Sequence, residues 1–317
     1  MENNPILFIY GPTGSGKSNL AMQISQLVKN AVIVNCDASQ VYKDVPIITA
    51  SPSEKDKKKI PHFLYNYLNY NENYCVKQYL SDASKIILEQ INIGNKVIVT
   101  GGSNFYLDVL VNGISDMPEI SNQVENKIKK DLNDIGLNGI YNILIKSLSE
   151  KYKKKIHIND KYRVLRAYKV LLQTGKSIEF FHNNKKHDKS FSLENIIKKF
   201  IILDPNRKHL YKTCNNRLNL LLQDGGFEEI RNLLWKKNIC QNIINIIPFK
   251  EISKYVKKQI TYQDMLSMSK QRTRNYAKRQ ITWLKNYFIK QKNHQRFFTN
   301  SIEELDLTKL INKIYFS

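Results

Sequence analysis

One glycine-rich stretch constrains this chain more than any other feature, because it satisfies the pattern G-x-x-x-x-G-K-[ST]. Its residues are Gly11, Pro12, Thr13, Gly14, Ser15, Gly16, Lys17 and Ser18. The apolar run 6–10 before it is typical of a buried strand, and the apolar spacing over 20–28 after it predicts a helix. This order predicts a phosphate-binding loop, in which backbone N–H groups at a helix N-terminus, the Lys17 charge and the Ser18 hydroxyl, a ligand for Mg²⁺, surround phosphate oxygens. A nucleoside triphosphate and an organic diphosphate offer such a loop the same oxygens.

Further buried-strand patterns alternate with helical ones along the chain. Apolar runs at 31–34, 96–100 and 199–204 predict strands, and 76–93 reads as a helix between two of them. Strands that alternate with helices form a parallel sheet, and near-continuous apolar strands fit a sheet covered on both faces. The predicted fold class is α/β, a P-loop-type parallel sheet core flanked by helices. Ligands of such sheets bind outside the carboxyl ends of the strands.

The pattern changes after Met117-Pro118. Residues 121–173 are polar, lysine-rich and helically spaced, which predicts an all-helical insertion domain. We therefore divide the chain into a first part of the core at 1–119, the helical insertion at 120–195, and a second part of the core with basic C-terminal helices at 196–317. A helix at about 207–224 should end at Gly225-Gly226, and from Phe227 onward the pattern is helical.

Charge and composition narrow the class of partner. The net charge is +22, so a polyanion is the expected partner and nucleic acid is the first candidate, although AT-rich coding bias is another source of lysine. The 42% apolar content excludes a wholly disordered chain. No apolar run approaches the roughly 18 residues of a membrane span, so we expect a cytoplasmic protein without membrane contact. We also expect a monomer. The four cysteines form no C-x-x-C pair, and we expect them to be reduced and buried.

Three positions outside the loop are candidates for chemistry. Asp37 follows the second predicted strand, so it should lie at the same sheet edge as the loop, where it would act as a base, a Mg²⁺ ligand or a helix N-cap. Gly101-Gly102-Ser103 ends the third strand there, either as a plain turn or as a close approach at which Ser103 bonds a phosphate or a carboxylate. Arg217, on the helix after 199–204, could clamp a diphosphate bidentately.

Two basic segments suit RNA. Arg163, Arg166 and Lys169 share one helical face, and 271–285 interleaves basic residues with Tyr276 and Trp283, as phosphate contacts plus base stacking require. The alternative is a solvated helix face with Trp283 in the core. His62, after Pro61, reads as a structural histidine.

These pieces together resemble the bacterial and organellar tRNA dimethylallyltransferases, nearly from end to end. The resemblance rests on Gly-Pro-Thr-Gly-Ser-Gly-Lys-Ser at 11–18, Asp-Ala-Ser-Gln-Val-Tyr at 37–42, Thr49-Ala50, Pro61-His62, Gly-Gly-Ser-Asn-Phe-Tyr at 101–106, Asn159-Asp160 with Arg163 and Arg166-Ala167, Thr174-Gly175-Lys176, and Ala-Lys-Arg-Gln-Ile-Thr-Trp at 277–283. Ser103 stands where the family usually has Thr, Ala38 replaces a usual Ser, and Pro248-Phe249 replaces a usual Gly-Tyr in a tRNA-contacting loop. Only the last departure puts a family contact in doubt.

The resemblance implies transfer of the dimethylallyl group from dimethylallyl diphosphate to N6 of the adenine just 3′ of the anticodon in tRNA. Asp37 would be the base, Arg217 and the loop with Mg²⁺ would hold the leaving diphosphate, and Ser103 would hold Asp37 or a phosphate oxygen. The insertion would grip the anticodon stem-loop. The implied tRNA-binding residues are Asp37, Ala38, Ser39, Gln40, Ser103, Tyr162, Arg163, Arg166, Lys278, Arg279, Gln280 and Trp283.

Other classes stay open. A P-loop kinase would use the same loop on ATP, an adenylate isopentenyltransferase acting on free nucleotides would need no basic insertion, and a silent RNA-binding protein would not need Lys17, Asp37 and Arg217.

Overall fold

The computed structural model describes residues 4–183, 193, 195–290, 295–299 and 305–315, and divides the chain into two compact units. Unit 1 comprises Met1–Asn112 with Leu193–Ser317, and unit 2 comprises Gly113–Ser192. Each unit has its own apolar core.

Unit 1 is built on a parallel sheet. Its strands are β1 (Ile6–Tyr10), β2 (Ala31–Asn35), β3 (His62–Phe63), β4 (Lys96–Gly101), β5 (Lys198–Leu203) and β6 (Gln295–Thr299). They lie in the order β3-β2-β4-β1-β5-β6, and every neighbouring pair is parallel. The predicted α/β class with a parallel sheet is confirmed. At the carboxyl edge Tyr10 pairs with Gly101 and with Ile202, so the loops after β1, β4 and β5 emerge side by side.

Helices cover the sheet on both sides. Those of unit 1 are α1 (Lys17–Leu27), α2 (Glu54–Lys59), α3 (Val76–Asn92), α4 (Asn104–Asn112), α10 (Arg207–Leu221), α11 (Phe227–Leu233), α12 (Gln241–Ile244), α13 (Phe249–Val256), α14 (Tyr262–Lys290) and α15 (Leu307–Tyr315). Leu7 and Ile9 of β1 pack in one apolar cluster with Leu20 of α1 and Leu310 of α15. Successive side chains of a strand point to opposite faces, and Phe8 accordingly belongs to a stack with Phe200 that reaches Phe288 of α14.

Unit 2 consists of α5 (Asn122–Asp134), α6 (Gly136–Ile145), α7 (Glu150–Lys153), α8 (Lys161–Thr174) and α9 (Ile178–Asn183), with no strand among its described residues. Its core joins α6 and α8 through Ile140, Leu144 and Val164. The Asp160 side chain caps α8 by accepting from Arg163 N at 3.1 Å, and Gly175 ends the helix in the left-handed region.

The structure corrects three local predictions. The helical pattern after Phe227 misses β6, a strand that exists because it pairs in register with β5. The α-helix from Arg207 ends at Leu221, before the predicted end, and a π-helical turn, Leu222–Gly226, follows it. Cys75 is exposed, at the N-terminus of α3, whereas the other three cysteines are buried, and all four are free thiols.

Candidate active site

The glycine-rich loop joins β1 to α1 as predicted. Gly16 caps α1 with φ 89°, a left-handed conformation that a residue with a Cβ adopts only with strain. The first N–H groups of a helix have no intrahelical acceptor and carry partial positive charge, so the loop presents an anion-binding end. The buried Ser15 Oγ finds no hydrogen-bond partner among the described residues. An orphaned hydroxyl inside this loop fits a bound phosphate oxygen.

Two cations face this loop. Lys17 Nζ donates to the carbonyl of Pro12 at 3.0 Å, and Arg217 reaches from α10 to donate to Thr13 Oγ1 at 3.2 Å. Burial, with the neighbouring Arg217 charge, lowers the pKa of Lys17 to about 8. Burial likewise lowers the pKa of Arg217, while Asp37 raises it. Two partly desolvated cations this close to each other would be stabilised by an anion between them.

Asp37 lies across from these cations, just beyond β2, and its turn is held on several sides. Asn35, fully buried, accepts from Asp37 N at 2.8 Å and donates to Asp37 O at 3.0 Å. Asp37 Oδ1 accepts from Ser39 N at 3.0 Å and from Ser39 Oγ at 2.7 Å. No described residue donates a hydrogen bond to Oδ2. One carboxylate oxygen therefore fixes the side chain, and the other is available to a ligand.

The end of β4 abuts this turn. A Cβ on Gly101 would lie 2.1 Å from the Cys36 carbonyl carbon and oxygen, so only glycine allows the two strand ends to approach so closely. Ser103 Oγ accepts from Ala38 N at 2.9 Å. Ser103 is predicted to hold Asp37 or a phosphate oxygen. In the structure its hydroxyl accepts from the backbone of the residue after Asp37, and so steadies the turn that carries Asp37.

These groups line a single cavity of about 520 Å³ within unit 1. Its wall includes the two cations, Asp37 and Ser103. The wall also carries groups that sequence analysis did not single out as site residues, from 242–247 and from α14: Asn242, Asn245, Ile246, Ile247, Arg272, Thr273 and Asn275. Of these, Arg272 shares a helical face with Tyr276 and Gln280 at i, i+4 and i+8, a spacing that could have revealed it. Pro248-Phe249, the departure from the family pattern, begins α13 beside this wall, and Phe249 is buried.

The remaining residues predicted for RNA binding fall in two classes. Gln40 is buried and donates to the carbonyls of Thr49 and Ala50, and Gln280 is 1% exposed, so the protein itself engages both amides. Lys278 and Arg279 are exposed on α14, and Trp283, half-buried, stacks on Tyr287 with ring centroids 4.5 Å apart. In unit 2, Tyr162 is 81% exposed at the start of α8, followed by exposed Arg163 and half-buried Arg166.

The part of the chain that the structure describes was compared with the requirements of a metal site and of a membrane span. No group of three or more His, Cys, Asp or Glu side chains there is arranged to hold a metal ion. A metal at the loop would therefore rely on Ser18 and on ligands that the bound phosphates supply. No helix in the same part combines the length and the apolar content that crossing a bilayer requires.

A parallel sheet whose edge brings together a phosphate-binding loop, two crowded cations and a carboxylate defines an enzyme of the P-loop type that acts on a phosphorylated substrate. The comparisons with known proteins refine this class. The profile of the family described as IPP transferase matches residues 40–287. The chain belongs to the IPP transferase family.

Named relatives agree. A tRNA dimethylallyltransferase of Rickettsia canadensis is 41% identical over 288 residues, which cover 90% of this chain and 87% of the relative. One from Orientia tsutsugamushi is 35% identical, covering 99% of this chain and 100% of the relative. Among solved structures, a eukaryotic dimethylallyltransferase, described in crystallographic snapshots of the enzyme acting on tRNA, superposes with a TM-score of 0.77 at 27% identity over 95% of this chain and 75% of its own. The resemblance drawn from the sequence motifs is confirmed.

Proposed function

We propose that this enzyme transfers the dimethylallyl group from dimethylallyl diphosphate to N6 of the adenine just 3′ of the anticodon in tRNA and releases diphosphate. The observation that carries the proposal is the set of side chains that line the cavity. Lys17 and Arg217 face Asp37 there, and Asp37 Oδ2 accepts no hydrogen bond from the described residues. Family membership supports the same reaction.

The leaving group belongs at the loop. As the carbon–oxygen bond of dimethylallyl diphosphate breaks, negative charge grows on the diphosphate, and fixed donors already directed at that position stabilise it without reorganisation. The donors are the N–H groups at the start of α1, Lys17 Nζ and the Arg217 guanidinium. Mg²⁺, held by Ser18 and the phosphate oxygens, would neutralise part of the same charge when bound.

The nucleophile needs a base. The adenine amine is weak because its lone pair is delocalised into the ring, so removal of its proton as the carbon–nitrogen bond forms helps the transfer. Asp37 Oδ2 takes that proton. Ser39 and Asn35 orient the carboxylate and its backbone before substrate arrives, which leaves Oδ2 directed for this task.

The target adenine has to leave its stack, and unstacking is least costly in a loop. This favours the anticodon loop over a duplex. In unit 2, the exposed Tyr162 ring and the Arg163 charge offer stacking and phosphate contacts, and on α14 Lys278 and Arg279 offer charge. We assign the helical insertion to the anticodon stem-loop. We further propose that the enzyme acts as a monomer in the cytoplasm, where its tRNA is found; a cavity lined by residues of one chain supports a site that needs no second copy.

The decisive assay crosses two donors with two acceptors. Purified protein is incubated with labelled dimethylallyl diphosphate or ATP, and with tRNA or AMP, with and without Mg²⁺. Label should appear only in tRNA, only from dimethylallyl diphosphate, and only when the unmodified tRNA has the acceptor adenine. Labelled AMP would establish a free-nucleotide enzyme, and ADP release coupled to turnover would establish a kinase.

The leaving-group assignment has its own check. Lys17→Ala and Arg217→Ala should each raise KM for dimethylallyl diphosphate and slow transfer, because both side chains meet the same phosphates. Neither change should weaken tRNA binding. A loss of tRNA affinity with an unchanged KM for the diphosphate would remove these cations from the leaving-group site.

A further inference from the structure

Gln280 of α14 joins two loops of the site that are far apart in sequence. Thr13 N, in the phosphate loop, donates to Gln280 Oε1 at 2.9 Å, and Gln280 Nε2 donates to the carbonyl of Gly102 at 2.7 Å. The residue is 1% exposed. An amide side chain offers one carbonyl oxygen and one NH₂ group, so both of its polar atoms are already engaged by backbone.

The phosphate-loop end of this bridge is fixed at every polar atom of Thr13. Besides the bond from its N–H to Gln280, its hydroxyl accepts from Arg217 at 3.2 Å and its carbonyl accepts from Cys214 Sγ at 3.3 Å. Residues outside the loop make all three contacts. Contacts from α10 and α14 therefore hold Thr13 in place, in addition to the bonds within the loop from Ser15 N and Lys17 Nζ to the carbonyl of Pro12.

The other end of the bridge, at Gly102, lies close to the Asp37 carboxylate and to the Lys17 ammonium. A Cβ placed on Gly102 would be 2.7 Å from Gln280 Nε2, 3.2 Å from Asp37 Oδ2 and 3.9 Å from Lys17 Nζ. Gly102 therefore lies beside both the oxygen that accepts the proton and the ammonium that faces the leaving group. The next residue, Ser103, bonds the backbone of Cys36 and of Ala38 on either side of Asp37. A shift of Gly102 relative to Thr13 would therefore move the Asp37 turn relative to the phosphate loop.

We propose that Gln280 is a positioning residue that sets the separation between the diphosphate loop and the Asp37 carboxylate, and that it does not contact tRNA. The inference rests on the proposed transfer. In that reaction one carbon passes from a phosphate oxygen at the loop to a nitrogen beside Asp37, so the two ends of the path have to be held at a fixed spacing. A misplacement of about 1 Å at such a centre costs on the order of 10²-fold in rate.

The test replaces Gln280 with a residue of similar length that neither donates nor accepts. In Gln280→Met, the single-turnover rate constant at saturating tRNA and dimethylallyl diphosphate should fall by about 10- to 100-fold. The tRNA Kd and the slope of log Kd against log salt should stay within about twofold of wild type, because the substitution removes no group that binds a phosphate. Gln263→Met, on an exposed position of the same helix outside the 271–285 segment, is the matched control and should leave both quantities unchanged.

Two results would overturn the proposal. One is an unchanged rate constant; if the burst amplitude is smaller at that unchanged rate constant, Gln280 only stabilises the fold, since the rate constant does not depend on how much enzyme is folded. The other is weaker tRNA binding with a shallower salt slope, which would make Gln280 a direct tRNA contact. Wild-type protein that prenylates no tRNA would contradict the proposed function itself, whereas a Gln280→Met enzyme equal to an active wild type would remove this inference alone.

Discussion

Lys17 should give the enzyme a pH dependence within the neutral range. Its pKa is lowered to about 8, first by burial and then by the Arg217 charge, while Asp37 opposes the shift. A diphosphate bound between Lys17 and Arg217 favours the ammonium form of Lys17. The substrate therefore binds the protonated enzyme better, and its capture should weaken as pH rises through the pKa of Lys17 in the free enzyme.

The size of the effect follows from that pKa of about 8. About nine-tenths of the Lys17 side chains are charged at about pH 7 and about one-tenth at about pH 9, so kcat/KM for dimethylallyl diphosphate should fall about tenfold over this interval. The substrate contributes little, because the last phosphate proton leaves near about pH 6. The assay is kcat/KM for dimethylallyl diphosphate at saturating tRNA, measured at constant ionic strength.

Lys17→Arg is the matched control. A guanidinium stays charged throughout the range, so this variant, although less active overall, should show no loss of kcat/KM between about pH 7 and about pH 9. The tRNA Kd of the wild type should also show no change between about pH 7 and about pH 9. If kcat/KM of the wild type did not change over this pH range, or if it fell equally in Lys17→Arg, the Lys17 charge would not control substrate capture.

Three further predictions concern the base, the RNA surface and the fold. Asp37→Asn should slow single-turnover transfer by about 10²- to 10⁴-fold at unchanged tRNA affinity, and a loss below about tenfold would place the base elsewhere. A second variant replaces four basic residues by Ala: Arg163, Arg166, Lys278 and Arg279. Its slope of log K against log salt for tRNA should be shallower by roughly 0.7 to 0.9 for each phosphate that these side chains neutralise, with dimethylallyl diphosphate affinity unchanged, and an unchanged slope in folded protein would make these side chains a solvated face. Arg272→Met should lower the free energy of unfolding by about 3 to 5 kcal/mol in urea titrations, because it leaves the Glu251 carboxylate, 4% exposed and bonded to Arg272 at 2.6 Å, buried without its partner; a loss below about 1 kcal/mol would show that Glu251 does not need Arg272.

Local sequence determined the parts of this protein that short-range physics controls. The loop at 11–18 and the strand before it could be predicted because a glycine at positive φ, a helix N-terminus and a buried apolar run all lie within neighbouring residues. The parallel sheet followed from the alternation of strands and helices, and that placed Asp37 at the same edge as the loop. The helical character of 121–173 followed from apolar periodicity.

Only the tertiary structure showed which residues distant in sequence contact each other in the site. Arg217 is a candidate from the sequence because its helix follows a strand of the sheet, but nothing near it in sequence indicates that it donates to Thr13, about 200 residues away. Gln280 is the sharper case. Its neighbours Lys278 and Arg279 are exposed and basic, so the segment reads as an RNA-binding face, yet the helix turns Gln280 inward to join Thr13 and Gly102.

The strand β6 and the cavity wall at 242–247 were missed for the same physical reason. Periodicity shows which face of an element is buried, because burial depends on the apolar character of nearby residues. It does not show which partner a strand edge or a buried polar atom meets, because that depends on how elements distant in sequence pack together. The sequence by itself therefore determined the chemistry that is available to this protein, and the tertiary packing decided which side chains carry it out and which hold them in place.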